Sequence, residues 1–322
     1  MRSILRQLAV ALALFWVVLS LTFFLVRAAP GDPVTFLAPP AASAPELARL
    51  RASLDLEAPL AVQYGRWARD VFKGKLGTSF VAHRSVTSVL GDAIPISLAL
   101  GGISLLLTFL IGVAVGSAQG AHRGSRTDSA LTVLTTTVYA APSFWLALSL
   151  IALFTYGAAR LGLPAWMRLP AFGVRDPAGD SGLADLVRHA ILPVLTLTLI
   201  GAAGIARYAR TAVVELLQLQ WVRTAVAKGT PARSVHARHV LANALPTLLI
   251  LFALALPGVL AGSVFVETVF GWPGVGRLMV SSIFARDYPV VVGATVVYAA
   301  LVILANLAAD LALPLVDPRR RT

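Results

Sequence analysis

The sequence predicts an all-α, polytopic membrane protein with six transmembrane helices, and three observations carry that prediction. Of 322 residues, 57% are hydrophobic and only 13% charged, where a soluble domain has roughly 25% charged. The mean hydropathy is +0.80, and the apolar residues gather in long uncharged runs of membrane-spanning length. The net charge is +12, but the basic residues fall mostly at the ends of those runs, where cytoplasmic Lys and Arg orient spans. That placement argues for a lipid bilayer as partner and against nucleic acid. Cysteine is absent, which excludes disulfides, thiolate-held clusters and cysteine nucleophiles.

The elements follow in order. Leu8–Val26 is an uncharged run of 19 residues behind a short basic start. It is too long for the apolar core of a signal peptide, so it reads as a retained first span. Residues 1–27 therefore form a cytoplasmic N-terminus and first helix. Residues 28–93 are polar and read as a large extracytoplasmic loop. The loop opens on the turn cluster Pro30-Gly31-Asp32-Pro33, carries helical spacing at Leu47–Leu56 and Val62–Phe72, and turns again at Gly74–Ser79. Residues 94–322 form a five-helix core. Its spans are Ile94–Ala118, Ala130–Ala159, Ala190–Ala206, Ala244–Val266 and Val290–Ala309.

Several residues punctuate these spans. Gly112, Gly116 and Gly120 recur every four residues in the second span, so one face admits another helix backbone. Pro142 predicts a kink in the third span, Pro193 interrupts the fourth, and Pro257 with Gly258 and Gly262 punctuates the fifth. With the N-terminus in the cytoplasm, Arg2, Arg6, His122–Arg126 and Arg319–Arg321 all fall inside. The loop at 28–93 then lies outside despite seven Lys or Arg, which six acids nearly balance; the rule weakens for loops longer than roughly 60 residues. Both termini are accordingly expected in the cytoplasm.

Between the fourth and fifth spans lies a basic elbow, 212–246, with Arg223, Lys228, Arg233, Arg238, His236 and His239 and a single acid, Glu215. Its grammar is helix, stop, helix. Gly229 suits a left-handed stop, Thr230 an N-cap and Pro231 a first helical turn. A basic elbow held between two spans predicts a docking surface for a cytoplasmic partner.

The spans lack what an independent carrier needs. No Asp, Glu, Lys, Arg or His lies at the middle of any of them, whereas ion-coupled carriers place titratable groups there. No GxxxxGK[ST], HExxH or GxSxG motif occurs. His236 and His239 have metal-ligand spacing, but beside Arg233 and Arg238 they read as a solvated basic face. The pattern points to a non-catalytic transport subunit driven from outside the chain. The alternatives weighed are a self-sufficient secondary carrier and a membrane-tethered helix-turn-helix nucleic-acid binder.

The motifs, taken in order, resemble one known family. Thr224-Ala225-Val226-Ala227-Lys228-Gly229, followed by His239–Pro246, resembles the coupling loop of ABC-importer permeases of the dipeptide/oligopeptide/nickel family, B-type subunit. Pro30–Pro33, Pro59-Leu60-x-x-Gln63-Tyr64-x-x-Trp67, Gly74-x-Leu76-Gly77-x-Ser79, Glu267-x-Val269-Phe270-x-x-Pro273-Gly274-x-Gly276, Arg286–Pro289, Asn306-Leu307-x-x-Asp310 and Asp317-Pro318-Arg319 fit the same pattern. Each is weak alone, and the ordered set is specific.

The resemblance implies a bacterial inner-membrane permease subunit importing peptides, or in some relatives nickel chelates, haem or another small solute. It implies as partners a second related permease, two ABC ATPase subunits and an extracytoplasmic substrate-binding protein. ATP and Mg would then be bound by the ATPases, with no cofactor on this chain. It also assigns ATPase coupling to Trp221, Arg223, Thr224, Ala225, Lys228 and Gly229, with a docking helix over about 212–228. An outer gate or binding-protein contact falls to Glu267, Phe270, Trp272, Arg286 and Asp287. The chain departs from the family at Gln220-Trp221, where Asp-Tyr is usual, and at Val226 and Ala242, where Arg is common.

Overall fold

The computed structural model describes residues 2–28, 34, 42–53, 57–176, 182–256, 258 and 264–316. The Pro30–Pro33 cluster, Pro257, Gly262 and Asp317–Arg321 lie outside the described residues, as does the side chain of Asp310. Among the described residues the regular secondary structure is helical, joined by turns and loops, with one isolated bridge between Thr78 and Ser85.

In chain order the helices are α1 (Arg2–Ala28), α2 (Ala44–Ser53), α3 (Leu60–Phe72), α4 (Val86–Ala121), α5 (Arg126–Ala140) and α6 (Ser143–Ile151). The last of these continues through a π-helical turn, Ala152–Gly157, to Arg160. Then come α7 (Leu183–Leu217), α8 (Gln220–Ala227), a π-helical stretch Val235–Leu241 leading into α9 (Ala242–Ala255), α10 (Val264–Val269), α11 (Val275–Phe284) and α12 (Tyr288–Val316).

Six stretches are long and apolar enough to cross a membrane: Leu8–Ala28, Val86–Ala121, Ser143–Arg160, Leu183–Leu217, Ala232–Ala255 and Tyr288–Ala308. The expected number of six spans holds; the fifth stretch begins at Ala232, twelve residues before the expected Ala244, and two prolines act differently from expectation. Pro142 does more than kink the third span. Ala141 and Pro142 both take extended ψ values, 130° and 138°, because proline lacks the donor and its ring disfavours helix in the residue before it. The crossing stretch therefore begins at Ser143. Pro193, in contrast, sits buried inside an unbroken α7 of 35 residues. That helix is about 52 Å long, beyond the roughly 30 Å of hydrocarbon, so its charged ends project.

The chain divides into two compact units. One holds residues 1–96 and 274–303. Its core joins Val86, Leu90 and Ala93 of α4 to Val275 of α11 and Val290 and Ala294 of α12. The other holds residues 97–273 and 304–322. There α6, α7 and α10 pack Leu146, Ala147, Leu150, Ile151, Leu192, Val266 and Phe270 together.

The glycine stripe of α4 belongs to this second unit and lies directly on α7. A Cβ at Gly112 would come 2.8 Å from the Ile205 Cβ and 2.9 Å from the Ala202 carbonyl oxygen. At Gly116 it would collide with the Ala206 carbonyl, and at Gly120 it would stand 2.6 Å from Val213 Cγ1. The helices meet backbone to backbone, as small residues permit where no hydrophobic force draws spans together.

Candidate functional site

The elbow is built at the charged end of α7. The expected single helix over 212–228 is corrected to two helices. α7 ends at Leu217, Leu219 turns extended at ψ 143°, and α8 starts at Gln220. No glycine or proline marks this break. It arises because α8 turns an apolar side back on its own elbow. Val222 is buried against Val213, Val235 and Val240, with Leu216, Leu217 and Ala225 packed around them.

That packing sorts the expected coupling residues. Ala225 is half-buried on the inner side. Trp221, Arg223, Thr224, Val226 and Lys228 are exposed, and the Trp221 ring lies 6.2 Å from that of His239. The outward face is thus mixed, an indole and a valine among cations.

Gly229 has φ +81°, the left-handed conformation that costs an L side chain. It closes α8 with paired bonds. The Gly229 N–H donates to the Val226 carbonyl at 2.9 Å and the Thr230 N–H to the Ala225 carbonyl at 3.2 Å. This is a Schellman stop. The next cap shifts by one residue from expectation. Pro231, at φ −55° and ψ 140°, holds the N-cap place, and Thr230 belongs to the preceding stop.

Two polar ties, invisible in the sequence, brace the elbow. His236 Nε2 lies 2.6 Å from Ser117 Oγ on α4. Arg210 of α7 donates from Nε and Nη2 to the two Asp128 carboxylate oxygens of α5, each at 2.8 Å. Asp128 also accepts from the Gly124 N–H at 3.0 Å and the Thr132 hydroxyl at 3.4 Å. The Arg210 guanidinium first, and the Gly124 N–H after it, hold the Asp128 carboxyl well below the usual carboxylate range.

The residues expected at an outer gate are mostly enclosed. Glu267, Phe270, Trp272 and Asp287 are buried, and Arg286 is half-buried. Within the second unit, Ser97 Oγ donates to Glu267 Oε1 at 2.6 Å, and Phe270 belongs to the core. The Trp272 N–H donates to the Glu267 carbonyl at 2.8 Å, closing α10 around Gly271 as α8 is closed around Gly229. Within the first unit, Asp287 accepts from Ser79 Oγ at 2.5 Å and from the N–H groups of Phe80 and Val81 at 3.0 and 3.3 Å. Arg286, just before it, is left-handed at φ +54°.

Among the described residues, no group of three or more His, Asp or Glu is placed to hold a metal.

Comparison with known proteins covers nearly the whole chain. Residues 108–322 match the family described as binding-protein-dependent transport system inner membrane component. Residues 1–101 match the N-terminal membrane component of the same kind of system. A putative peptide permease protein of Brucella ovis is 35% identical, covering 99% of this chain and 98% of that protein. The oligopeptide transport system permease protein AppB of Bacillus subtilis is 34% identical, covering 98% of each. The probable D,D-dipeptide transport system permease protein DdpB of Escherichia coli is 36% identical, covering 98% of this chain and 97% of that one. A crystal structure described as an amino acid ABC transporter with histidines aligns with TM-score 0.50 at 14% identity, over 72% of this chain and 94% of that one. At that identity the likeness is one of fold.

Proposed function

Because the chain belongs to the binding-protein-dependent transport system inner membrane component family, it is a non-catalytic membrane permease subunit, and we propose that it forms one half of the path through which an ATP-driven importer takes up peptides. The observation that carries the peptide reading is the full-length likeness to relatives described as peptide, oligopeptide and D,D-dipeptide permeases. The other half-path belongs to a second, related permease. Cargo arrives from an extracytoplasmic binding protein, and two cytoplasmic ATPases bind the ATP and Mg.

In this proposal α8 is the coupling helix. Its exposed face, Trp221, Arg223, Thr224, Val226 and Lys228, sits in a cleft on an ATPase, and Gly229 turns the chain away. Val222 and Ala225 fasten α8 to α7 and to the π-helical stretch before α9, so a push on α8 reaches both spans. The N-terminus, the elbow and the C-terminus face the cytoplasm of a bacterial inner membrane, and residues 28–93 lie on the outer side. Glu267, Phe270, Trp272, Arg286 and Asp287 act from within the fold as supports of an outer gate.

Reconstitution tests the proposal. In proteoliposomes, the purified chain with its permease and ATPase partners is expected to hydrolyse ATP faster when binding protein loaded with peptide is present, and to accumulate labelled peptide. Uptake by this chain alone would sink it. Stimulation by a nickel chelate or haem, and not by peptide, would leave the permease standing and replace the cargo.

A further inference from the structure

One cation of α7 is turned back into the membrane span and held there by a ring. Arg207 directly follows the uncharged run Ala190–Ala206, and its guanidinium carbon lies 5.2 Å from the centroid of the Tyr139 ring on α5. That ring lies over Gly204, where a Cβ would come 3.3 Å from Tyr139 Cε2. Gly204 stands about 4.5 Å deeper in the run than Arg207, at 1.5 Å per residue. The arginine therefore leans back along α7, as helical side chains do. A lipid-facing arginine at this level would turn the other way, toward the headgroups beyond the end of the run.

The manner of holding leaves the cation available. Arg210, three residues on, donates from Nε and Nη2 to Asp128. The ion pairs among the described residues do not include Arg207. An aromatic face attracts a guanidinium through its charge and leaves the N–H donors unused. A planar fork fixed in place with unused donors fits a carboxylate, which it takes by two parallel bonds.

At this level α7 is covered on its other sides. The glycine stripe of α4 meets Ala202, Ile205 and Ala206, and Ala244 and Leu248 of α9 pack on Ala209. The side left open carries Arg207, Tyr208 and Thr211, all exposed. From α5, Thr136 and Tyr139 join it, also exposed. α5 and α7 run antiparallel with Asp128 opposite Arg210. Thr136, eight residues from Asp128, is thus about level with Ala202, eight residues from Arg210, and lies inside the uncharged run. The side of α5 suited to lipid is a different one. Leu134, two residues from Thr136 and so nearly opposite it on the helix, is 58% exposed. A cation with hydroxyls at span level belongs against a water-filled cavity and not against hydrocarbon.

We infer that this face of α5 and α7 is a wall of the translocation path, and that Arg207, set by Tyr139, takes the terminal carboxylate of the passing peptide. The carboxylate contact rests on the peptide reading of the cargo, whereas the wall does not. Charge complementarity selects the cargo as occupant, and the backward lean of Arg207 sets lipid aside.

The chain has no cysteine of its own, so single cysteines report on this face in the assembled, reconstituted importer. Thr136→Cys is expected to react with a charged methanethiosulfonate at least tenfold faster than Leu134→Cys, because the reagent travels through water and not through lipid. Equally slow reaction at both positions means that lipid or the second permease covers the face, and overturns the wall. Uptake of a dipeptide is then compared with uptake of its C-terminal amide, each presented at saturation of the same binding protein. The ratio of acid to amide is expected to fall about tenfold from the parent chain to Arg207→Gln, the loss of one bidentate charged contact, and to return in part with Arg207→Lys. Because the binding protein is the same throughout, its own preference cancels. An equal ratio in the parent and Arg207→Gln chains overturns the carboxylate contact. A fall that Arg207→Lys does not relieve, and that follows the thermal midpoint, marks a structural role and overturns it too. A parent importer that takes up neither compound removes the peptide reading and the carboxylate contact together, while reactivity at position 136 still decides the wall.

Discussion

Arg210 and Asp128 form a bidentate ion pair, two bonds of 2.8 Å, between the projecting end of α7 and the first turn of α5. Ser125 caps α5 through the Asp128 N–H at 3.2 Å, and Gly124 donates to the carboxylate itself. The pair therefore ties the turn after α4, the start of α5 and the approach to the elbow into one piece. Asp128 is nearly enclosed, while the Arg210 side chain is 33% exposed, so the pair keeps some screening and yet has fixed geometry.

Removing the carboxylate charge should loosen this joint. Asp128→Asn is expected to cost about 2 kcal/mol, the range for hydrogen bonds to charged groups. It should register as a lower thermal midpoint of the purified chain, with Arg210→Gln behaving alike and the double variant adding little. Full additivity of the two would show that they do not act as a pair.

The pH dependence follows from the lowered pKa of Asp128. A carboxyl depressed on folding contributes stability that is fully present above its unfolded value, about 3.9, and is lost as pH falls through the folded one. The pair should therefore contribute equally from pH 5 to pH 8 and weaken only in strong acid. Thermal midpoints of the parent and Asp128→Asn chains should differ by a constant amount over that window and converge below about pH 4. Convergence already near pH 6 would assign the titration to another group.

Packing separates two neighbours in α8. Val222→Ala should destabilise the elbow by about 1–2 kcal/mol, since it opens a cavity among Val213, Val235 and Val240. Trp221→Ala, at a 42% exposed position, should leave the thermal midpoint unchanged and lower the ATPase stimulation of the assembled importer. A Trp221→Ala chain that melts early and couples normally would invert the assignment.

What the sequence announced and what it hid differ by range. The six apolar runs, the Gly229 stop and the tight face at Gly112, Gly116 and Gly120 are local or periodic features, and all reappear in the structure. The break between α7 and α8 has no local sign, because it is made by Val222 meeting residues up to 18 positions downstream. The ties Ser117–His236, Ser97–Glu267 and Ser79–Asp287 join residues 119, 170 and 208 positions apart. Those serines read in the sequence as ordinary span or turn residues. The resemblance set Asp287 at an outer gate or binding-protein contact, and only the three donors around it reveal a buried latch.

That latch gives a sharp local prediction. Asp287→Ala removes the acceptor of three donors at once, two of them the backbone N–H groups of Phe80 and Val81. Limited proteolysis between Lys73 and Val86 should accelerate at least tenfold, while Ser79→Ala, which leaves both backbone bonds, should give a smaller increase.

The glycine stripe offers the test with the best internal control. A methyl group at Gly116 would overlap the Ala206 carbonyl and lie 2.8 Å from the Ala209 Cβ, and neither is the end of a flexible side chain. Gly102, in the same helix, has nothing within 4 Å of a built Cβ. Both glycines are helical, so alanine gains about 1 kcal/mol of propensity at each, and only the contact differs. Gly102→Ala should hold or raise the thermal midpoint. Gly116→Ala should lower it and reduce the yield of folded chain, because α4 and α7 must separate to admit the methyl. Equal behaviour of the two variants would show that the helices give way without cost, and that the stripe does not set their distance.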